Sequence, residues 1–408
     1  MGQQPILKPG RNCWRIRHAD RVAFLIDGAT YFERLREALE AGRQQILILA
    51  WDIYSRLKLK GESVTEDCPE LNELLNGLVE HNRDLRVYLL SWDFSLLFAL
   101  DREWAPIYRL DWKTHRRVRF EMDDGCPPGA SHHQKVVVVD DAVAFCGGLD
   151  LTRGRWDTSE HRPRDARRKK VDGTRGRPYH DVQMAVTGPA AAALGDLARE
   201  RWRRATGERL PRPEVSPPRS PPGEGLWFDL EDAEVAIVRT EPATEDYAEV
   251  REVEQLYLDA IAAAREAIYI ENQYFTAGAI AEALEDRLRD AEGPEIVLAL
   301  PLSTKGWLAN YSMDAIRVQL IERLREADAH DRFAVYYPHH PDAGDQPINL
   351  HAKIMILDDR LVRVGSSNLN NRSMGLDTEC DLAVEAREGQ DHVREAIRAF
   401  RNRLLAEH

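Results

Sequence analysis

The chain has 408 residues, of which 43% are hydrophobic and 31% charged; that exceeds one ordinary hydrophobic core and excludes disordered and fibrous classes, so two domains or one duplicated unit are expected. The formal net charge of -13 argues against bulk binding to nucleic acid or anionic lipid, so any anionic substrate must be held locally. Five scattered cysteines (Cys13, Cys68, Cys126, Cys146, Cys380), without a C-x-x-C pair, point to neither a zinc site nor a disulfide framework and fit a reducing, cytoplasmic compartment.

The first residues contain no apolar stretch suited to a signal peptide, and Ile6 stands where a myristoylation motif needs Ser or Thr. The longest apolar runs, such as residues 46–51, fall well short of the ~20 residues of a membrane span. Residues 31–45 carry apolar positions at helical spacing and lead into a buried strand at 46–53, followed by β-rich runs at 84–92 and 115–123. The proline-dense stretch 211–226 reads as an extended connector between an N-terminal unit, 1–210, and a C-terminal unit, 227–408. Beyond it the order repeats: a helix at 253–267, a strand at 268–275, then runs at 294–302 and 331–339. Helices alternating with strands in both halves imply sheets covered by helices, hence a duplicated α/β architecture.

Both halves then reach a histidine motif. His133-Gln134-Lys135 is followed by four apolar residues, Asp140, and Gly147-Gly148; His351-Ala352-Lys353 is followed at the same spacing by Asp358, Gly365-Ser366 and Asn368. Alternation along a strand puts His and Lys on one face, so an imidazole and an ammonium meet one ligand. Cleaving a phosphodiester needs a nucleophile, cations on the nonbridging oxygens and a proton for the leaving alcohol, and two such half-sites supply all three without a metal or cofactor. A lone His-x-Lys is usually structural; two copies at matching places in a chain-wide repeat are not readily a coincidence. His132, out of register, reads as structural, as do Asp140 and Asp358 at the strand ends.

These motifs resemble the paired HKD signatures of the phospholipase D superfamily, and the similarity extends to residues 268–275 and 178–191. The resemblance implies a pseudo-twofold duplicated fold, two α/β/α sandwich lobes with one active site at their interface, and a reaction through a phosphohistidine. It implies His133 as nucleophile and His351 as general acid and base, with Lys135, Lys353 and Asn368 on phosphate oxygens. Ser366 and Gly148 are further candidate substrate contacts; Asp150 occupies the place of Asn368 in the first half, a departure that puts its gripping role in doubt. Asp181 and Glu379, each heading a strand-like run after a motif, match the family's orienting acids, a role that fixes an imidazole tautomer. Glu271, Asn272 and Asp52 fall at strand C-termini, where open α/β sheets bind ligands; Trp51, Tyr274 and Phe275 divide between pocket and core.

The insertion 153–177 carries ten Arg or Lys against four acids. It reads first as a solvated surface loop, and second as a rim that meets anionic headgroups with Trp156 as an interfacial anchor. The resemblance implies phospholipase D-type hydrolysis, and transfer to an alcohol, of glycerophospholipids by a monomer at a membrane surface, with water or an alcohol as acceptor and no nucleic acid. A cardiolipin synthase-like transfer is the alternative, ahead of a nuclease or a noncatalytic lipid-binding module. The opening residues also resemble bacterial phospholipase D-like proteins that carry a C-terminal membrane domain.

Overall fold

A computed structural model describes residues 4–63, 68–93, 115–168, 176–214, 228–303, 307–344 and 346–408; most of the proline-rich connector lies outside them. The first half runs β1 (Arg15–Ile26), α1 (Asp27–Ala41), β2 (Gln45–Ala50), α2 (Leu71–His81), β3 (Arg86–Trp92), β4 (Val118–Asp123), β5 (Val136–Val139), β6 (Val143–Gly147), β7 (Tyr179–His180), β8 (Val182–Thr187) and α3 (Pro189–Thr206). The second runs β9 (Leu230–Glu241), β10 (Val250–Arg251), α4 (Glu252–Ala263), β11 (Ala267–Asn272), α5 (Gly278–Arg289), β12 (Glu295–Ala299), α6 (Trp307–Ala327), β13 (Phe333–Tyr336), β14 (Asn349–Leu350), β15 (Lys353–Leu357), β16 (Leu361–Gly365), α7 (Asn371–Gly375), β17 (Glu379–Glu385) and α8 (Asp391–Glu407).

The main strands form one continuous sheet in the order β4-β3-β2-β5-β6-β8-β1-β9-β17-β16-β15-β11-β12-β13. Among the described residues each half contributes seven strands of this order in equivalent sequence, three parallel strands at the outside and then antiparallel pairs toward the middle, and β10 adds to β9 off this path. The halves join where β1 pairs antiparallel with β9, from Arg15 opposite Ile237 to Val22 opposite Leu230. The expected duplication is therefore present as a sheet shared edge to edge, with helices on both faces.

Sequence dictates the local elements plainly. The β2 run QILILA and the β5 run VVVV are buried at every position, as interior strands covered on both faces require. Helix α3 starts with Pro189 at its first position and ends at Gly207, whose φ of 77° a side chain would disfavour. Its apolar face, with Leu194 and Trp202, joins α8 in a core under both halves, in which Phe24 stacks on Phe400 at 4.3 Å. Separate cores fill the opposite face, one under α1 and α2 and one under α4, α5 and α6. Burial of these faces is the main stabilising term.

Candidate active site

Each histidine motif enters its strand while stitched to the other half of the chain. The His133 amide donates to the Thr378 carbonyl at 2.9 Å, and the His351 amide donates to the His180 carbonyl at 2.8 Å. Strands β7 and β14 add a small parallel ladder beside the second of these. Thr378 and His180 immediately precede Glu379 and Asp181, so the stitching sets each acid beside the histidine of the opposite half. Nδ1 of His133 lies 3.0 Å from Oε2 of Glu379, and Nδ1 of His351 lies 2.6 Å from Oδ2 of Asp181. Sequence identified both acids but not this exchange. With Nδ1 engaged, Nε2 of each ring has no protein partner among the described residues. The side chains of His133 and His351 are 16% and 10% exposed, enough for a ligand to reach them.

The two acids are supported differently. Glu379 accepts from the hydroxyl of Ser366 and from that of Ser373 at 2.6 Å. Ser373 is itself set by Asn370, whose Oδ1 accepts the Ser373 amide at 2.8 Å. Asp181 is shorter, and the chain closes on it: a Cβ at Gly148 would stand 2.1 Å from its Oδ1. Gly148 and Ser366 are the same motif position, small where the acid is Asp and hydroxyl-bearing where it is Glu. Ser373, which sequence reasoning missed, lies only six residues before Glu379 but falls outside the spacing that the two motifs share.

Both lysines are buried. Lys135 Nζ donates to the His133 carbonyl at 2.9 Å and lies 3.4 Å from Asp150; Lys353 Nζ lies 3.0 Å from His351 Nδ1 and 3.3 Å from Gln273 Oε1. Asn368 is 5% exposed, and its Oδ1 has no partner among the described residues. Three expected substrate contacts are instead engaged with the protein. Asp150 accepts the Trp51 amide at 2.9 Å and neutralises Lys135. Asn272, fully buried, accepts the Tyr274 and Leu369 amides at 3.1 and 3.0 Å. Glu271 is 0% exposed, with its oxygens taken by Tyr269 at 2.6 Å and His180 at 2.8 Å. These replace the pocket placements expected at the strand ends, because burial there demands that polar groups be satisfied internally.

Arg155, from the basic insertion, acts electrostatically on both Asp181 and His351 and lies 5.0 Å over the Tyr179 ring. Cations are therefore crowded around the histidines. Burial first, and then Lys135 and Lys353, push His133 down to about 3; burial and the same lysines with Arg155 hold His351 well below its ordinary value. Burial raises Glu379 to about 8 and Asp181 to about 7, against the opposing pull of Ser366 and Lys353 respectively. Burial also lowers Lys353 to about 7. Burial is the first cause of each shift and favours the neutral form of each group.

Comparison with known proteins bears directly on this geometry. The "Phospholipase D" family profile matches residues 127–305, and the "Cardiolipin synthase, PLD-like domain" profile matches residues 257–402, so the two together span both motifs. The chain belongs to the phospholipase D superfamily. It is 23% identical to phospholipase D A of Dictyostelium discoideum over 95% of this chain and 35% of that protein. It is also 23% identical to phospholipase D alpha 1 of Cynara cardunculus, over 93% of this chain and 64% of that protein. The chain thus spans about a third to just under two thirds of these relatives. Among solved structures, the phosphatidylserine synthase of Haemophilus influenzae superposes with a TM-score of 0.64 at 14% identity, covering 95% of this chain and 86% of that one; this likeness concerns the fold.

Within the phospholipase D motifs the closing aspartates are structural. Asp140, at φ 53°, accepts the amides of Arg43, Gln44 and Gln45 at 2.6 to 2.8 Å. Asp358, at φ 51°, does the same for Arg265, Glu266 and Ala267 at 2.8 to 2.9 Å. Each pins the start of the neighbouring strand. His132 is likewise structural, held by Asp123 at 3.2 Å and Thr378 at 3.1 Å. Phe275 is core.

The described parts of the insertion, 153–168 and 176–177, are only partly the solvated loop expected: Arg153, Arg162, Arg164 and Arg177 are exposed, but an acidic and basic cluster turns inward. Asp157, His161 and Arg168 are buried. Trp156 is packed against the first-half core and donates to the Lys60 carbonyl at 3.0 Å, so it is no free interfacial anchor. Residues 169–175 lie outside the described residues.

Proposed function

We propose that this protein cleaves glycerophospholipids as a phospholipase D, through a phosphohistidine, with water or an alcohol as acceptor. The cross-paired histidines carry the reading: each Nδ1 is held by a carboxylate of the other half, which presents Nε2 to one ligand. Nε2 of His133 attacks phosphorus, a P–N bond forms, and the bond from phosphorus to the headgroup oxygen breaks. His351 Nε2–H gives its proton to that oxygen. His351 then takes the proton of the incoming water or alcohol, whose oxygen displaces His133 and yields phosphatidic acid or a new phosphatidyl ester.

The bound phosphodiester adds negative charge beside the two histidines. It offsets Lys135, Lys353 and Arg155 and so permits His351 to hold its proton. Lys135, Lys353 and the Asn368 amide bind the nonbridging oxygens, whose charge grows in the transition state. On this reading the unit 1–210 brings the nucleophile and 227–408 the acid and base, joined by 211–226. Among the described residues no helix is long and apolar enough to cross a membrane; we assign the protein to a peripheral position at a cytoplasmic membrane surface, as a monomer.

The match of residues 257–402 to a cardiolipin synthase-like domain favours, as a second reading, transfer to an alcohol borne by another phospholipid. Headgroup release from mixed phospholipid vesicles, with and without a primary alcohol, tests both readings. Release abolished in His133→Ala and His351→Ala, with phosphatidyl-alcohol formed when alcohol is present, is the expected result. Release that occurs only with a glycerol-bearing lipid acceptor would favour the second reading, and no release from any lipid by folded protein would refute both.

A further inference from the structure

Behind the His351–Asp181 pair lies a second buried group of ionisable side chains. Its members come from four places in the fold: Asp27 at the junction of β1 and α1, His161 in the insertion, His180 in β7 and Glu407 at the end of α8. Their candidate ligand atoms all lie within 4.8 Å of one another. We propose that Asp27, His161, His180 and Glu407 form a structural binding site for a divalent transition metal of the zinc class.

Spacing supports this. His180 Nδ1 is 2.7 Å from Glu407 Oε1 and 3.1 Å from Asp27 Oδ1, while His161 Nε2 is 2.9 Å from Glu407 Oε1 and 3.8 Å from Asp27 Oδ2. A tetrahedral zinc site with bonds of 2.0 to 2.2 Å places its ligands ~3.4 Å apart, so small adjustments suffice. The outer nitrogen of each imidazole is also held by a carboxylate: His161 Nδ1 by Asp157 at 2.9 Å, and His180 Nε2 by Glu271 at 2.8 Å. That arrangement fixes tautomer and ring orientation at metal sites. An independent sign is Asp27 Oδ2, fully buried on a residue that is 0% exposed and without any hydrogen-bond partner. Two nitrogen donors disfavour calcium and magnesium, which take oxygen.

Charge gives the same answer. Asp27, Asp157, Glu271 and Glu407 bring four carboxylates into the interior, against the guanidinium of Arg168 on Asp157 and His408 at 3.5 Å from Glu271. Such a group needs either protons on its imidazoles or a dication. The metal would tie the insertion and helix α8 to the segment that carries Asp181 between β7 and β8. Asp181 is already bound here, its carbonyl accepting the Asp27 amide at 2.8 Å.

The test is metal content by inductively coupled plasma mass spectrometry on the whole chain, purified without metal resin. About one zinc per chain is expected, falling below about a tenth in His161→Gln and Asp27→Asn. Dialysis of the wild type against EDTA should lower Tm by several degrees and added Zn2+ should restore it, with Ca2+ unable to substitute. Should the variants fail to fold, this wild-type cycle still decides. Metal-free wild type with a Tm indifferent to EDTA and Zn2+ would overturn the proposal in favour of a proton-held network. So would zinc that both folded variants retain.

Discussion

Nδ1 of His133 lies 3.0 Å from Oε2 of Glu379, a residue 246 positions further along the chain. Its counterpart joins His351 to Asp181 across 170 positions. Neither half of the chain therefore contains a complete histidine–carboxylate pair. Glu379→Gln should leave His133 in place, because Ser366 and Ser373 can turn their hydroxyls to suit an amide, but it removes the titratable carboxyl that sets the tautomer. Turnover should fall by about 10²- to 10⁴-fold with little change in KM. Steady-state kinetics on dispersed phospholipid read this, and a KM effect alone would contradict it.

The same pair gives stability a defined pH dependence. Glu379 is raised from 4.5 to about 8 and His133 lowered from 6.5 to about 3. Between roughly pH 3 and 4.5 the unfolded chain binds the extra proton on histidine, so stability rises with pH. From about 4.5 to 6.5 both states hold one proton in this pair and it contributes no slope. From about 6.5 to 8 the folded pair keeps a proton that the unfolded chain has lost, so stability falls, by on the order of 2 kcal/mol. Urea midpoints from pH 5 to 9, compared between the two proteins, should show the wild type falling relative to Glu379→Gln between about 6.5 and 8, the other titrating groups of the site being common to both; equal slopes would contradict the assignment.

In the proposed mechanism His351 acts twice, as acid and then as base. With a p-nitrophenyl phosphodiester the leaving group needs no proton, so His351→Ala should release about one equivalent of nitrophenol rapidly and then stall. Rapid-quench measurement of the burst checks this. Steady release at the wild-type rate would remove His351 from the second step.

Gly148→Ala places a methyl group about where Asp181 Oδ1 stands, 2.1 Å away. The acid must move off His351, and activity should drop by about 10²-fold or more. Ser366 marks the equivalent position in the other half, and Ser366→Gly should cost roughly 1 kcal/mol of stability through the lost hydroxyl bond to Glu379. Thermal melts and kinetics on the two variants separate these effects; a harmless Gly148→Ala would contradict the close approach.

Asp358→Ala should do the reverse, lowering stability by roughly 2 to 4 kcal/mol through three lost amide bonds and an unfavourable φ. Its turnover at low temperature, where it remains folded, should stay within about threefold of wild type. A large loss of turnover without loss of stability would give Asp358 a catalytic part.

Sequence carried the candidate histidines and lysines because they are written locally and twice. The His-x-Lys spacing, the apolar strands behind it and the glycines beyond it all recur at one offset, and the structure places them accordingly. The joining strands were not legible: nothing in residues 15–26 or 230–241 states that they pair, and that pairing fuses two sheets into one. The exchange of Asp181 and Glu379 between histidines depends on it. Glu271 and Asn272 sit at strand ends as read, yet burial turns them inward. The basic insertion keeps Arg153, Arg162 and Arg164 in solvent as its charge suggests, but its composition does not show that Asp157, His161 and Arg168 pair inside. The Asp27 group has no spacing to recognise, since its members come together only in the folded chain.

The covalent intermediate tests the central claim most directly. Rapid acid-free quench of His351→Ala with a p-nitrophenyl phospholipid, followed by peptide mass spectrometry, should find the phosphatidyl group on the peptide containing His133, through an acid-labile bond. An adduct on another residue, or none while nitrophenol is released, would contradict a site in which His133 attacks phosphorus and His351 completes the turnover.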